Sequence, residues 1–150
     1  MNLRISTDQQ KYSRRQGLTL HASLVNNGDA TVYIDRRMFW TGYAGGLKLE
    51  IANEKGQSLP APMLSDAMMP PPSKDDTSIL IALDEGFFYG TSVNLKVSEF
   101  FPTPGRYSLR VIYKSWLQRD LVAPQFRSLP ALWADAPEIS SNRLWIQVTR

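Results

Sequence analysis

The chain has 150 residues, of which 43 % are hydrophobic and 21 % charged, a composition typical of an ordinary globular domain. It contains no cysteine, which excludes disulfides, thiol catalysis and cysteine-based zinc sites. The 17 basic residues are interspersed among 14 acidic ones, giving a formal net charge of +3, and this interspersion argues against nucleic-acid binding.

The first half of the chain shows alternating apolar and polar residues in residues 2–6, 18–24, 32–34 and 47–51. Alternation of this kind is typical of strands with one buried face. The run Asn26-Asn27-Gly28-Asp29 predicts a hairpin turn between the second and third of these strands. Residues 7–16 are polar and are expected to form a loop or a ragged edge.

The second half continues the pattern in residues 79–83, 87–97, 106–113 and 144–148. This makes about eight strands, within an expected range of 7–9, and no convincing helix longer than a turn or two. No run approaches the ~18 consecutive apolar residues of a transmembrane helix. The sequence therefore predicts an all-β fold, an antiparallel sandwich forming a single domain over residues 1–150.

The most informative local motif is Pro104-Gly105 followed by Tyr107 and Leu109. A turn leads directly into strict alternation, with Tyr107 on the inward side. A tyrosine in this position resembles the tyrosine corner of immunoglobulin-like sandwiches, whose hydroxyl bonds to the backbone just upstream. Gly105 and Tyr107 are therefore assigned structural roles.

Two segments are longer than hairpin connections need. Residues 57–77 contain five prolines together with Met63, Met68 and Met69, which suits either an adaptable partner-binding loop or a mobile connection. Residues 115–141 contain large apolar side chains, Trp116 and Trp133 among them, and are expected to pack down on the sandwich.

The residues offer little for catalysis. His21 is the one histidine, and its position in the alternation places it on a solvent-facing side of a strand. A serine triad or a histidine-based metal site lacks its other members. The carboxylate pairs Asp75-Asp76 and Asp84-Glu85 lie in turn-like contexts. The sequence thus predicts a protein that is not an enzyme and needs no cofactor or metal.

The more promising feature is a candidate binding face. Trp145 lies on the outward side of the last strand, and Arg110 and Ile112 lie on the outward side of the Tyr107 strand. If the two strands are neighbours, these residues share one patch of the type enriched at interaction hot spots. The alternative is that residues 115–141 fold back and cover Trp145.

The Asn26–Asp29 turn and the Pro-Gly-x-Tyr-x-Leu motif together resemble bacterial immunoglobulin-like domains, loosely the intracellular proteinase inhibitor-like type. The resemblance covers about half of the chain, and its motifs concern fold rather than activity. It implies an immunoglobulin-like sandwich and, through the family, a proteinase-inhibitor role. The two long loops depart from that pattern.

The resulting functional expectation is a non-catalytic module that binds another protein or a cell-envelope component, with a proteinase inhibitor or a carbohydrate-binding module as alternatives. The chain opens inside a strand, which led to the expectation that Met1 replaces a removed leader or a preceding domain. A periplasmic or extracellular location is slightly favoured on that assumption alone.

Overall fold

A computed structural model of the protein describes residues 1–41, 46–60, 64 and 71–150. In this part of the chain there are eleven strands, one short α-helix, α1 at Val97–Phe100, and two single-turn 3-10 helices at Arg119–Leu121 and Pro124–Phe126. The strands are β1 (Asn2–Thr7), β2 (Lys11–Ser13), β3 (Gly17–Val25), β4 (Val32–Asp35), β5 (Gly46–Asn53), β6 (Ser58–Leu59), β7 (Leu80–Leu83), β8 (Phe88–Lys96), β9 (Gly105–Lys114), β10 (Ile139–Ser140) and β11 (Leu144–Thr149). No helix among the described residues is long and apolar enough to cross a membrane.

The strands form two main sheets and one small one. Sheet one has the order β1-β3-β8, and sheet two has the order β2-β11-β9-β5-β6, with β10 pairing along β9 beside β11. Strands β4 and β7 pair only with each other among the named strands. All pairings are antiparallel except that of β2 with β11. The fold is therefore an all-β sandwich, as the alternation predicts.

The inward side chains explain why the two main sheets face each other. On β9 the inward residues Tyr107, Leu109, Val111 and Tyr113 are buried, as are their counterparts on the facing strands. Sheets with one apolar face must cover it, and a second sheet about 10 Å away does so. The main core cluster takes buried residues from β1, β2, β3, β4, β5, β7, β8, β9 and β11.

The eight strands of four or more residues correspond to the eight predicted ones. The additional strands β2, β6 and β10 have two or three residues each, which is too short for alternation to be read from the sequence. The N-terminal segment contributes to both main sheets, since β1 lies in sheet one and β2 in sheet two.

Strand β2 lies within residues 7–16, which are expected from the sequence to form a loop or a ragged edge, and it is the edge strand of sheet two. Its anchor is Tyr12, which is completely buried in the main core. The Tyr12 hydroxyl donates to Asp8 Oδ1 at 2.6 Å and lies 2.9 Å from the Gln9 carbonyl oxygen. This hydrogen bond lowers the pKa of Asp8, because it stabilises the ionised carboxylate. One buried aromatic residue thus orders a segment whose other residues are polar.

The turn at Asn26 differs from the predicted hairpin. Strand β3 pairs with β1 and β8, whereas β4 pairs with β7, so the turn carries the chain out of sheet one. Asn26 is buried, and its Nδ2 donates to the carbonyl oxygens of Ala30 and Leu83, both at 2.8 Å. The side chain therefore ties this crossing to β7, and no tight two-residue hairpin is needed.

Residues 115–141 pack on the small β4–β7 sheet, as expected of a segment rich in apolar residues. Leu117, Val122 and Trp133 are buried with Ile79 in a second core cluster. The backbone of Tyr33 accepts from Leu132 N–H at 2.9 Å and donates to the Pro130 carbonyl at 2.9 Å. Residues 115–141 therefore pack against the rest of the domain and contribute to its core.

Candidate interaction surface

Tyr107 lies where β9 begins, and its ring is buried. Its hydroxyl donates to the Thr103 carbonyl oxygen at 2.7 Å and lies 3.1 Å from Thr103 Oγ1. This is the upstream hydrogen bond that defines a tyrosine corner. Gly105 is the first residue of β9, and its φ lies outside the left-handed region. A Cβ there would meet only the Tyr107 ring, at 3.8 Å, so the structure shows no steric need for glycine.

The outward sides of β9 and β11 form one continuous surface, because these strands are hydrogen-bonded neighbours. Trp145 is opposite Ser108, and Arg110 and Ile112 follow at two-residue intervals along β9. Trp145, Arg110 and Ile112 are all partly exposed. Arg110 lies between the other two along the strand direction. We call the outward side of sheet two, with the connection between β10 and β11, the sheet-two face.

Arg106 and Glu50 belong to this face, although the sequence analysis did not select them. The Arg106 guanidinium lies 4.7 Å from the centre of the Trp145 ring, within the range of a cation–π contact. Arg110 donates to Glu50 Oε2 from Nε at 3.0 Å and from Nη2 at 2.7 Å. Both contacts depend on cross-strand register, which alternation within a single strand does not reveal.

A shallow open cavity of about 140 Å³ lies beside Arg110. Its floor consists of small side chains, because Ala52 of β5 is opposite Ser108 of β9. Polar and charged groups of Glu50, Arg110 and Arg143 line its wall. The cavity is comparable in size to one that accepts a single benzene-sized group.

The side chains of residues 115–141 bear on the alternative in which this segment covers Trp145. Leu117, Val122 and Trp133 of that segment are buried in the second core cluster, whereas Leu132 and Ile139 pack against the main core. At the far end of β9, Lys114 Nζ donates to the Ala136 carbonyl at 2.5 Å. Closer to Trp145, Ser140 is paired with Ile112, and the Ser141 N–H donates to the Val111 carbonyl at 2.8 Å, so the segment borders the sheet-two face from Val111 to Lys114.

The other candidate binding residues belong to the proline- and methionine-rich residues 57–77. Met63, Met68 and Met69 lie outside the described residues, so their proposed partner-binding role stays a prediction.

The positions considered for chemistry have local structural partners. His21 is exposed on the outward side of sheet one, opposite Ser92. Asp76 accepts hydrogen bonds from the Ser78 hydroxyl at 2.6 Å and amide at 2.9 Å, which lower the pKa of the Asp76 carboxyl. Asp84 accepts from the Thr31 hydroxyl at 2.6 Å. The described residues contain no group of three or more potential metal ligands.

A second surface feature was missed in the sequence. Phe87 and Phe88, at the start of β8, are 64 % and 69 % exposed and are the large hydrophobic residues most open to solvent in the described part of the chain. Phe87 lies in the turn before β8, and Phe88 is the first residue of β8.

No protein-family model matches the chain, and a search of curated proteins finds no similar sequence. The class of protein is therefore defined by its architecture, an all-β sandwich.

Proposed function

We propose that this protein is a non-catalytic binding module that recognises another protein through the sheet-two face. The observation that carries the proposal is the grouping of Trp145, Arg106 and Arg110 on the solvent side of paired strands. Tryptophan and arginine are the residues most enriched at protein interaction hot spots. A flat sheet supplies a rigid platform, which lowers the entropy that binding would otherwise cost.

Trp145 also supports a protein partner better than a glycan. Sugar-binding tryptophans offer an open ring face for stacking, whereas the Arg106 guanidinium already lies over the Trp145 ring at 4.7 Å. A stacked Arg–Trp pair is a large, preorganised contact surface for a polypeptide. On this face of the ring a carbohydrate would compete with Arg106, so the carbohydrate-binding alternative is the weaker of the two.

A proteinase inhibitor of the intracellular, immunoglobulin-like type is the remaining alternative. It has the support of the motif resemblance, which includes the Tyr107 corner. It also has the support of the exposed hairpin at residues 53–58, which overlaps the start of the proline- and methionine-rich residues 57–77. This alternative requires residues 57–77 to enter a protease cleft. A broad panel of serine, cysteine and metalloproteases would reveal inhibition, and an inactive result across the panel would rule this alternative out.

Site-specific photo-crosslinking tests the leading proposal. A benzophenone amino acid replaces the exposed Gln147 on the sheet-two face, and a matched variant carries it at the exposed His21 on the opposite face. In an extract of the source organism, we expect a discrete protein adduct from the Gln147 position, and no such adduct from the His21 position. Adding Trp145→Ala to the first variant should abolish the adduct. Equal adducts from both faces, or none from Gln147, would contradict the proposal.

A further inference from the structure

The sheet-two face concentrates positive charge that the sequence distributes widely. Its outward residues include six cations and a single anion, Glu50, on the strands and the β10–β11 connection. Two further acids, Glu54 and Glu138, lie at its ends. The six cations are Lys11, Lys48, Arg106, Arg110, Lys114 and Arg143.

Strand register brings these cations together. Lys11 is beside Gln147 on β11, which is beside Arg106 on β9. Lys48 is opposite Ile112, in the row next to the Glu50–Arg110 pair. Neighbouring strands lie about 4.8 Å apart and alternate residues on a strand about 7 Å apart, so adjacent members such as Lys48 and Arg110 lie within about one Debye length of each other. The ends of the face, Arg106 and Lys114, are about 27 Å apart, so the charge forms an extended row rather than a point.

Most of this charge is available to a ligand. Lys11, Lys48, Arg106 and Arg143 are exposed. Arg110 is engaged with Glu50, and Lys114 with the Ala136 carbonyl. Exposed cations with complementary charge on a partner increase the association rate and select partners by charge.

From this arrangement we infer that the partner is an acidic polypeptide segment, one that places carboxylates against Lys48, Arg106 and Arg143 and apolar side chains against Trp145 and Ile112. The inference rests on the proposed function, because it names the chemistry of the partner at the same face. The cavity of about 140 Å³ beside Arg110 is large enough for one such apolar or aromatic side chain.

Two observations favour a polypeptide over a nucleic acid. Glu50 lies beside Arg110, where its carboxylate can accept hydrogen bonds from the backbone amides of a peptide, donors that a phosphodiester backbone lacks. Trp145 and Ile112 alternate with the cations, and this mixture fits a chain that carries both acidic and apolar side chains.

Fluorescence anisotropy with a defined probe tests the inference. The probe is a labelled peptide in which Asp and Glu alternate with Leu and Ser, and its matched control carries Lys in place of every acid. We expect the acidic peptide to bind and the basic one not to bind. Binding should weaken at least tenfold when salt rises from about 0.01 to about 0.15 M, because the Debye length falls from about 30 to about 8 Å.

A pair of charge reversals locates the site. Lys48→Glu with Arg143→Glu changes two exposed side chains of the sheet-two face, and should raise the dissociation constant at least tenfold. The control, Lys74→Glu with Lys96→Glu, makes the same change in net charge at exposed residues away from this face, and should change the constant less than about twofold. Circular dichroism and the denaturation midpoint establish that both variants fold.

Three outcomes would overturn the inference: equal binding of the acidic and basic peptides, equal sensitivity of the two double variants, or an oligothymidylate of matched charge that binds as tightly as the acidic peptide. Failure here, with a Gln147 crosslink still formed in the extract, would leave the proposed function standing with a different partner chemistry. Absence of both the peptide complex and the crosslink would remove the two together.

Discussion

Tyr113 is the buried residue on β9 whose ionisation most directly affects stability. It is 4 % exposed, and burial raises the pKa of its phenol to about 12. A hydrogen bond from Ser115 opposes this rise, and the carboxylate of Asp35 adds to it. Below pH 10 the phenol is neutral in both the folded and the unfolded chain. Between pH about 10 and about 12 the unfolded chain loses this proton while the folded chain keeps it, so stability falls with rising pH.

The Tyr113→Phe variant has no phenol proton to lose, so its stability should not show this fall with rising pH. Two pKa units correspond to about 2–3 kcal/mol, so the wild-type free energy of unfolding should fall by about that much relative to Tyr113→Phe across this range. Urea denaturation at closely spaced pH values measures the difference. Tyr33→Phe, which alters a half-buried tyrosine on β4, serves as the control and should follow the wild type. Parallel pH profiles for wild type and Tyr113→Phe would contradict the assignment.

Single residues also show what sequence can reveal. The tyrosine corner was predictable because Pro104, Gly105 and Tyr107 are neighbours in the chain, and the hydroxyl reaches back only four residues to Thr103. The Arg106–Trp145 contact was not predictable, because it joins residues on two strands whose register is fixed by the whole sheet. Contacts between residues that are close in the sequence can therefore be predicted more readily than contacts between two strands.

At the level of strands, we expect alanine substitution to have opposite effects on stability at Gly90 and at Gly105. Gly90 of β8 is opposite Ser23 of β3, and a Cβ on it would lie 2.5 Å from the Ala22 carbonyl oxygen and 2.9 Å from Ser23 Cβ. Gly90→Ala must therefore push β3 and β8 apart, and we expect a cost of about 1–3 kcal/mol. Gly105→Ala meets no such contact and should change stability by no more than about 1 kcal/mol, in the stabilising direction.

Chemical denaturation of the two glycine variants side by side provides the measurement. Hydrogen exchange adds the location, since the loss of protection in Gly90→Ala should concentrate in β3 and β8. Equal destabilisation by Gly105→Ala and Gly90→Ala would contradict this expectation, because neither the φ angle of Gly105 nor the atoms around it require glycine.

The strands themselves were largely predictable, and their pairing was not. Alternation located each strand that buries one face over four or more residues. It missed β2, where one buried residue, Tyr12, is the only apolar signal. The Asn26–Asp29 turn satisfied the rules for a hairpin, but the buried Asn26 amide bonds to Leu83 across the fold and sends the chain towards β7 instead. Such a tertiary hydrogen bond leaves no local trace in the sequence.

At the scale of the whole molecule, the charge distribution gives the same lesson. The sequence shows basic residues interspersed with acidic ones, and on that basis predicts an evenly solvated surface. The register of β2, β5 and β9 then places their outward cations on one side of one sheet. The candidate face was partly predicted through Trp145, Arg110 and Ile112, whereas its overall charge required the register.

The two core clusters raise the question of whether the molecule unfolds as one unit. Strand β7 contributes to both, since Leu83 belongs to the main core while Leu80 packs against the second cluster, which holds Ile79 and Trp133. Hydrogen bonds from Tyr33 to the backbone around Ala131 add to this connection. We therefore expect cooperative unfolding, in which Trp133→Ala lowers the stability of the whole protein by about 3–5 kcal/mol.

Hydrogen exchange under mild denaturant tests this expectation. The amides of Leu117 and Leu132 should exchange with the same free energy as those of Leu20 and Val111 in the main core, and Trp133→Ala should lower both sets equally. Trp116→Ala, at a half-buried position of the same segment, is the control and should cost less because its ring is already partly solvated. If the second cluster instead exchanges at lower free energy, and Trp133→Ala leaves the main core unchanged, residues 115–134 form a separate unit that can open while the sheet-two face stays intact.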